Sequence, residues 1–324
     1  MHTFEEIRNI VEETLSGLRF KKNPGNLYAP VQYSLESGGK RIRPVMVLMG
    51  CNLFTDSIEK AIYPALAIEI FHNFTLLHDD IMDNSDTRRG RATIHKKWNT
   101  NVAILSGDAM LIKAYEFLSK TESEKLPLLL KVFNKTALQV CEGQQLDMDF
   151  EESNRVTEQE YLEMIELKTA VLLAGSLKLG ALLGDAKEHD ADNIYNFGRN
   201  LGLAFQLQDD YLDLYGDPNV FGKKIGGDIV AGKKTYLYFK ACENADETDR
   251  NALNELMYSK SIEREEKINK VKMLYDKYKV SELTDNKIKE YYRQAEINYE
   301  RIKVPANRKE PLWHLAEILL KREK

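Results

Sequence analysis

The sequence is poor in residues that interrupt helices or cross-link secreted domains. Proline occurs 8 times and glycine 18 times in 324 residues, so long stretches run without a strong helix breaker. The cysteines Cys51, Cys141 and Cys242 are widely separated and odd in number, which argues against a disulfide framework or a zinc site. No apolar run reaches membrane-spanning length, and residues 1–18 lack the pattern of a signal peptide. We therefore expect a cytoplasmic protein without stable membrane insertion.

The chain also lacks a general excess of positive charge. Its formal net charge is −5 and its sequence pI is about 5.8. These values give no overall field that would attract a polyanion such as DNA, so we do not expect nucleic acid as a partner. Cations cluster only locally, at residues 40–43, 88–97 and 223–234. Such local clusters favour small anionic ligands.

Helical periodicity dominates the rest of the sequence, and no alternating strand pattern competes with it. The chain has no linker or low-complexity stretch, so we expect a single all-α domain over residues 1–324. The segments with helical spacing are 4–18, 27–36, 43–54, 58–83, 99–118, 126–147, 158–184, 190–215, 235–257, 262–278, 283–303 and 311–322.

Two aspartate clusters with the same spacing end segments that are apolar nearly all round. In each cluster two acids are four residues apart, so they project from one helical turn, with a third acid one step round. Like charges so placed repel by roughly 0.2–0.5 kcal/mol per pair, which a bound cation would offset. Carboxylates without His or Cys nearby favour a hard cation, and we expect Mg2+. The six acids are Asp79, Asp80, Asp83, Asp209, Asp210 and Asp213.

Each cluster continues as a polar ridge along its own predicted helix. His72 and Thr75 fall on the helical face of Asp79, and Gln206 falls on the face of Asp209. A single cluster of this kind is typical of a solvated helix end. Two clusters on apolar helices, each followed by cations, instead favour an acidic rim over an apolar cavity.

Further motifs accompany the clusters along most of the chain. They are the segments 38–44 (GGKRIRP), 88–90 (RRG), 143–147 (GQQLD), 168–169 (KT), 205–208 (FQLQ) and the loop 222–235. In this order and spacing they resemble the trans-isoprenyl diphosphate synthases, or polyprenyl synthetases, of the short-chain farnesyl and geranylgeranyl type. The resemblance implies the all-helical isoprenoid synthase fold, a homodimer, and head-to-tail condensation of isopentenyl diphosphate with an allylic diphosphate.

The resemblance also implies an allylic diphosphate site. Asp79, Asp83 and Asp209 would hold three Mg2+ ions against this substrate, and the other three acids would support them. The further residues implied in binding or catalysis at this group are Arg88, Lys168, Thr169, Gln206, Lys223 and Lys233, with Lys224 as an alternative to Lys223.

A second diphosphate site, for isopentenyl diphosphate, is implied by the same likeness. It would comprise Gly39, Lys40, Arg43, His72 and Arg89. Taken alone, His72 is more typical of a satisfied core histidine, and only its position on the aspartate ridge favours a binding role. The tail, residues 321–324, either closes over this site, as in some members, or is a solvated end.

Product length is indicated by residues that precede the first cluster. Phe74 lies five residues before Asp79, or about 7.5 Å deeper along the helix, and Phe71 lies almost one turn further. In the family, an aromatic residue there, beside the small Thr75, resembles synthases that make C15 or C20 products. The alternative is that both phenylalanines simply pack the helix.

Three other interpretations compete with the synthase. A class I terpene cyclase shares the first acid motif, but such cyclases usually carry an Asn/Ser/Glu pattern where this chain has Asp209, Asp210 and Asp213. A non-catalytic regulatory subunit of a prenyl synthase tends to lose the acid motifs, and this chain keeps both. A helical scaffold with incidental charge clusters needs neither motif.

Overall fold

The computed structural model describes residues 1–20, 22–153, 155–217, 225–259 and 261–320. These residues are mostly helical, which confirms the all-α prediction. Within them, no helix is both long and apolar enough to cross a bilayer. The helices are α1 (Phe4–Gly17), α2 (Gly25–Leu35), α3 (Ile42–Asn52), α4 (Ile62–Met82), α5 (Ile94–Lys97), α6 (Thr100–Leu118), α7 (Leu126–Glu152), α8 (Glu158–Ile165), α9 (Val171–Leu183), α10 (Glu188–Tyr215), α11 (Gly227–Ala231), α12 (Tyr236–Asn244), α13 (Glu247–Tyr258), α14 (Arg264–Lys277), α15 (Val280–Glu300) and α16 (Ala306–Leu320).

Four shorter elements complete the described structure. A 3-10 turn spans Glu59–Ala61, and a π-helical segment spans Glu166–Ala170 between α8 and α9. Strands β1 (Thr87–Arg88) and β2 (Arg91–Ala92) form an antiparallel hairpin. Neither strand is long enough to give an alternating pattern, so no strand was predicted here.

The predicted helix over 235–257 is wrong, because the structure has two helices there. Helix α12 ends at Asn244, and Asp246 starts α13 by accepting a hydrogen bond from the backbone N–H of Asp249 at 2.9 Å. An aspartate in this N-cap position stabilises a new helix start more than it supports a continuing helix. The predicted helix over 158–184 is likewise divided, by the π-helical segment.

The chain groups into two compact units. The first consists of residues 1–135, 175–195 and 302–315, and the second of residues 136–174, 196–301 and 316–324. The first aspartate cluster belongs to the first unit, and the second cluster belongs to the second. The single domain over residues 1–324 stays a prediction.

In the first unit, α4 packs against α3 and α6, and its apolar faces are buried. Helix α3 in turn approaches the last part of α9 backbone to backbone. A Cβ atom added to Gly180 would lie 1.9 Å from the carbonyl oxygen of Val47, and one added to Gly50 would lie 2.4 Å from that of Leu177. Only glycine permits such contacts, so these two positions allow α3, which packs on α4, to lie directly against α9.

In the second unit, two glycines enclose the π-helical segment. A Cβ atom on Gly143 of α7 would lie 2.2 Å from the backbone nitrogen of Lys168, and one on Gly202 of α10 would lie 2.6 Å from Cα of Ala170. Both helices therefore contact the segment directly. This packing holds Lys168 and Thr169 beside α7 and α10.

Candidate active site

The first aspartate cluster stands at the carboxyl end of α4, where an arginine from the hairpin meets it. Nε of Arg88 donates to Oδ1 of Asp80 at 2.7 Å, and Nη2 donates to Oδ2 of Asp79 at 2.8 Å. Asp83 is the exposed C-cap residue of the same helix. Negative side chains are unfavourable at the negative end of a helix dipole, and Arg88 offsets that effect here.

The two acids that Arg88 contacts differ in how deeply they are buried. Burial raises the pKa of the Asp80 carboxyl above its ordinary value, although the charge and hydrogen bond of Arg88 oppose the rise. Asp79 is only half-buried and faces the same guanidinium. The cluster is therefore a pair of carboxylates that share one cation, with a third acid open to solvent.

The hairpin turn presents the next arginine to the glycine loop. Arg89 and Gly90 both have positive φ, 53° and 72°, as a two-residue hairpin turn requires. The guanidinium of Arg89 donates from Nη1 to the carbonyl oxygen of Gly38 and lies against Gly39, where an added Cβ would meet it at 2.6 Å. The family resemblance implied that Arg89 and Gly39 share a site, and the structure brings them together.

Arg43 and His72 also meet in the first unit. Nη1 of Arg43 lies 3.0 Å from Nε2 of His72. An arginine can only donate, so Nε2 accepts and the ring proton sits on Nδ1. Burial lowers the pKa of His72 well below its ordinary value, and the positive charges of Arg43 and Arg89 lower it further. His72 is therefore neutral at pH 7. The positive charge around it comes from the arginines.

The second aspartate cluster carries a hydrogen-bond relay around Asp210. The hydroxyl of Thr169 donates to Oε1 of Gln206 at 3.1 Å, and Nε2 of Gln206 donates to Oδ1 of Asp210 at 3.0 Å. The phenol of the buried Tyr161 donates to Oδ2 of Asp210. Burial raises the pKa of Asp210 to about 8, and the charge of Asp228 adds to the rise. Through these hydrogen bonds Asp210 orients the amide of Gln206, and Gln206 in turn orients the hydroxyl of Thr169.

Asp213 anchors the loop that follows the cluster. Its Oδ2 accepts a hydrogen bond from the backbone N–H of Asp228 at 3.0 Å, and its carbonyl oxygen accepts one from Gly226 at 2.7 Å. The backbone N–H of Lys233 then donates to the carbonyl oxygen of Asp228 at 2.9 Å. The contacts tie Lys233 to the second cluster through the backbone.

Lys168 forms an ion pair with Asp147, the last residue of the GQQLD motif. Its Nζ donates to Oδ2 of Asp147, and both side chains are partly buried. Gly143 permits the close approach of α7 that this pair needs. Asp147 belongs to a motif of the family resemblance, but no role was predicted for it.

Tyr161 and Asp228 were missed as site residues. Tyr161 comes seven residues before Lys168, and that helical spacing was the only sequence signal for it. Asp228 lies in the loop quoted for the family resemblance, where nothing but its proximity to Lys233 marked it.

The residues predicted to limit product length form an aromatic cluster in the first unit. Ring centroids are 5.7 Å apart for Phe71 and Phe74, 4.7 Å for Phe74 and His78, and 5.4 Å for Phe71 and Phe133. Both phenylalanines of α4 are buried, and the hydroxyl of Thr75 donates to the carbonyl oxygen of His72. The cluster lies deeper on α4 than Asp79, as its position in the sequence predicts.

A few predicted residues lie outside the described residues. These are Gly222, Lys223, Lys224 and the tail 321–324. Lys40 is described and is exposed in the loop between α2 and α3.

The chemistry of the acidic side chains fits a hard divalent cation. All six are carboxylates, and Mg2+ characteristically takes one or two carboxylates together with phosphate oxygens and water. Among the described residues, no three acidic, histidine or cysteine side chains are grouped closely enough to hold a metal ion alone.

Comparison with known proteins places the chain in a family. A family model described as polyprenyl synthetase matches residues 24–276. The chain belongs to the polyprenyl synthetase family. The geranylgeranyl diphosphate synthase of Methanosarcina mazei is 42% identical to it over 77% of this chain and 78% of its own length.

Solved structures of polyprenyl synthetases agree with the match. A crystal structure of a geranylgeranyl pyrophosphate synthase has a TM-score of 0.94 at 43% identity and covers 100% of both chains. A polyprenyl synthase from Caulobacter crescentus, complexed with calcium and isoprenyl diphosphate, has a TM-score of 0.87 at 27% identity and covers 99% of this chain and 96% of its own.

These findings confirm the predicted family, the isoprenoid synthase fold and the class of enzyme, a prenyltransferase of the short-chain prenyl diphosphate synthase type. The names of the relatives favour this interpretation over a terpene cyclase or a regulatory subunit.

Proposed function

We propose that this polyprenyl synthetase condenses isopentenyl diphosphate head to tail with dimethylallyl, geranyl or farnesyl diphosphate, with Mg2+, to give C15–C20 products and diphosphate. The contact of Arg88 with Asp79 and Asp80 carries the proposal. It supplies one proposed metal ligand, a carboxylate that supports it and a phosphate-binding cation at one helix end, as the ionisation of an allylic diphosphate requires.

The barrier to this reaction lies in the departure of diphosphate from the allylic carbon. Negative charge develops on the departing oxygens, and Arg88, Lys168 and Lys233 are the proposed cations that stabilise it. No protein nucleophile takes part. Thr169 and Gln206 are held as oriented dipoles and steady the allylic cation, while the apolar helix faces exclude water.

Divalent metal is proposed to bind to the carboxylates of both clusters. Asp79, Asp83 and Asp209 are the proposed direct ligands, and three Mg2+ ions are expected with substrate bound. When bound, the metal neutralises the charge of the leaving diphosphate as a Lewis acid. Asp80, Asp210 and Asp213 support the site, and the protein contacts of all three suit that role.

Isopentenyl diphosphate is proposed to bind to Gly39, Lys40, Arg43, His72 and Arg89. Arg43 and Arg89 supply planar donor pairs that match phosphate oxygens. His72 accepts a hydrogen bond from Arg43 and thereby sets the orientation of its guanidinium. After the new C–C bond forms, the released diphosphate is the proposed acceptor of the proton.

Incubation of the purified protein with labelled isopentenyl diphosphate, geranyl diphosphate and Mg2+ tests the proposal. We expect label in C15 and C20 diphosphates, separated by chromatography after dephosphorylation. A protein that releases only an unlabelled hydrocarbon is a cyclase, and one that incorporates no label is not a synthase.

Arg89→Lys tests the second diphosphate site. We expect KM for isopentenyl diphosphate to rise by about tenfold, because lysine keeps the charge but loses the paired donors and the contact with Gly38. KM for geranyl diphosphate should stay within about twofold, since Arg89 is not assigned to that substrate. Arg91→Lys is the matched control in the same hairpin. Equal KM values for Arg89→Lys and the unaltered protein would contradict the assignment.

The aromatic cluster around Phe74 is proposed to limit the length of the product. A prenyl chain that grows along α4 from Asp79 would meet this ring. The buried Phe71 packs against Phe74 and is proposed to limit the same space.

We also propose that the enzyme is a homodimer. Helix α6 exposes Ile104, Leu105, Ile112 and Tyr115, which fall within one helical stripe about 100° wide. An apolar stripe of this kind is typical of a buried interface. The location is proposed to be cytoplasmic, where the free thiols of the three cysteines would stay reduced.

Ile112→Lys tests the dimer. Ile112 is 67% exposed, so the substitution should spare the fold of one chain but place a charge in the interface. Light scattering coupled to size exclusion should give a dimer for the unaltered protein and a shift towards monomer for the variant. Met273→Lys is the control, because Met273 is 72% exposed and lies on α14. An unaltered protein that elutes as a monomer would refute the proposal.

A further inference from the structure

We infer that a buried ion pair between Arg41 and Glu69 positions the loop that binds isopentenyl diphosphate. Both are positioning residues, since neither is assigned a contact with substrate. The inference rests on the proposed function, because Gly39, Lys40 and Arg43 belong to the diphosphate site proposed there.

The loop before α3 has positive φ angles at three residues, one of which is not glycine. Gly38, Gly39 and Arg41 have φ angles of 74°, 125° and 49°. The left-handed region is accessible to glycine but unfavourable for arginine, because its Cβ crowds the backbone. A non-glycine residue persists in this conformation only when its surroundings hold it there. Arg41 therefore needs strong side-chain contacts.

The guanidinium of Arg41 has those contacts. Nη1 donates to Oε1 of Glu69 at 2.6 Å, Nη2 donates to the carbonyl oxygen of Leu35 at the end of α2, and Nε lies 4.0 Å from Oε1 of Glu12. The side chains of Arg41 and Glu69 are only 5% and 3% exposed. Arg41 thus ties the loop to α2 and α4 from inside the protein.

Glu69 is itself held in one orientation. Nδ2 of Asn73 donates to Oε1 of Glu69 at 3.0 Å and to its carbonyl oxygen at 2.8 Å. The hydroxyl of Ser34 donates to Oδ1 of Asn73 at 3.3 Å. Removing two charges from water is costly, so a buried ion pair is weak support for stability. The pair is therefore better explained by its effect on the geometry of the loop than by a contribution to the free energy of unfolding.

The same face of α4 connects this network to the substrate site. Glu69 and His72 are three residues apart, and so lie on one side of the helix. Arg41 reaches Glu69, and Arg43, two residues later, reaches His72. Two arginines of one segment therefore contact neighbouring positions of α4. If the first contact is lost, residues 38–41 can relax, and Lys40 and the turn at Gly39 lose their positions.

Three variants test the inference. Glu69→Gln removes the charge, Arg41→Lys keeps it with fewer donors, and the double variant Arg41→Met with Glu69→Leu replaces the pair by apolar side chains of similar size. For each we expect KM for isopentenyl diphosphate to rise by about tenfold, with kcat at saturation and KM for geranyl diphosphate within about twofold, because only preorganisation of one site is lost. The double variant should keep the thermal midpoint and still show the raised KM.

Leu118→Ala provides the control for stability, because Leu118 is a buried apolar side chain of α6. It should lower the thermal midpoint without changing either KM. A KM for isopentenyl diphosphate that is unchanged in the folded variants, or a KM that rises equally for both substrates, would overturn the inference.

Calorimetric titration with isopentenyl diphosphate separates this inference from the proposed function. An unaltered protein that binds isopentenyl diphosphate without turnover refutes the proposed reaction, and the weaker binding expected for Glu69→Gln still tests the positioning role. Equal binding by both proteins overturns the positioning role alone. No binding by the unaltered protein overturns both.

Discussion

Asp79→Asn is expected to lower kcat by on the order of 10²–10³-fold, with the protein still folded. Asparagine keeps the size of the side chain but loses the negative charge that a divalent metal needs, so the leaving diphosphate loses its main electrostatic support. Asp209→Asn should have a comparable effect. Steady-state turnover at saturating Mg2+ and both substrates measures it.

The stability of the metal-free protein should hardly change in Asp79→Asn. The substitution relieves repulsion within the cluster, worth roughly 0.2–0.5 kcal/mol per pair, but it also removes the ionic attraction to Arg88. A partly exposed ion pair is worth about 0–1 kcal/mol, so the two effects nearly cancel. Thermal unfolding without metal checks this expectation.

Asp86→Asn is the matched control for Asp79→Asn. Asp86 carries the same functional group in the same unit, its side chain is 82% exposed, and it pairs with Lys96. It should leave turnover unchanged. Normal turnover by both Asp79→Asn and Asp209→Asn would show that the assigned metal roles are wrong.

Phe74→Ala is expected to lengthen the product by at least one isoprene unit. The smaller side chain opens space beside Phe71 and His78, into which a growing chain can extend. Removing a buried aromatic ring also costs about 3–5 kcal/mol of folding stability, so Phe74→Leu, which opens less space, serves as a second variant. Chromatography of the dephosphorylated products gives the chain lengths.

Phe197→Ala separates product length from general destabilisation. Phe197 is a fully buried ring of α10 that packs against Tyr299. Its removal should destabilise the protein by a similar amount and leave the product distribution as it was. If both Phe74 variants also keep that distribution, the limit on chain length lies elsewhere.

The features that follow from residue spacing could be predicted from the sequence. The ridge of α4 and the apolar character of that helix depend on a period of 3.6 residues, which a sequence displays directly. Arg43 and His72 were assigned to one site through the family resemblance, and the structure brings them together. The start of α13 at Asp246 was missed because one N-cap residue is a weak signal beside a continuing apolar pattern.

Several contacts that join distant segments could be predicted neither from residue spacing nor from the family resemblance. Tyr161 is 49 residues from Asp210, and its role depends on which face of α8 packs against α10. The pairing of Arg41 with Glu69 is equally invisible, because a sequence does not display which charges are buried together. Gly143 and Gly202 are small residues in helical patterns until the chain that approaches them is known.

The π-helical turn at Glu166–Ala170 has a consequence for how this protein tolerates deletions. Such a turn is an α-helix that contains one residue more than its register needs. Shortening the chain by one residue at this point would let α8 and α9 join as a regular rod. The side chains on one half of the rod would then rotate by about 100° relative to the other half. Lys168 could then no longer face Asp147 while Thr169 faces Gln206, so a shorter and more regular helix would be a poorer enzyme.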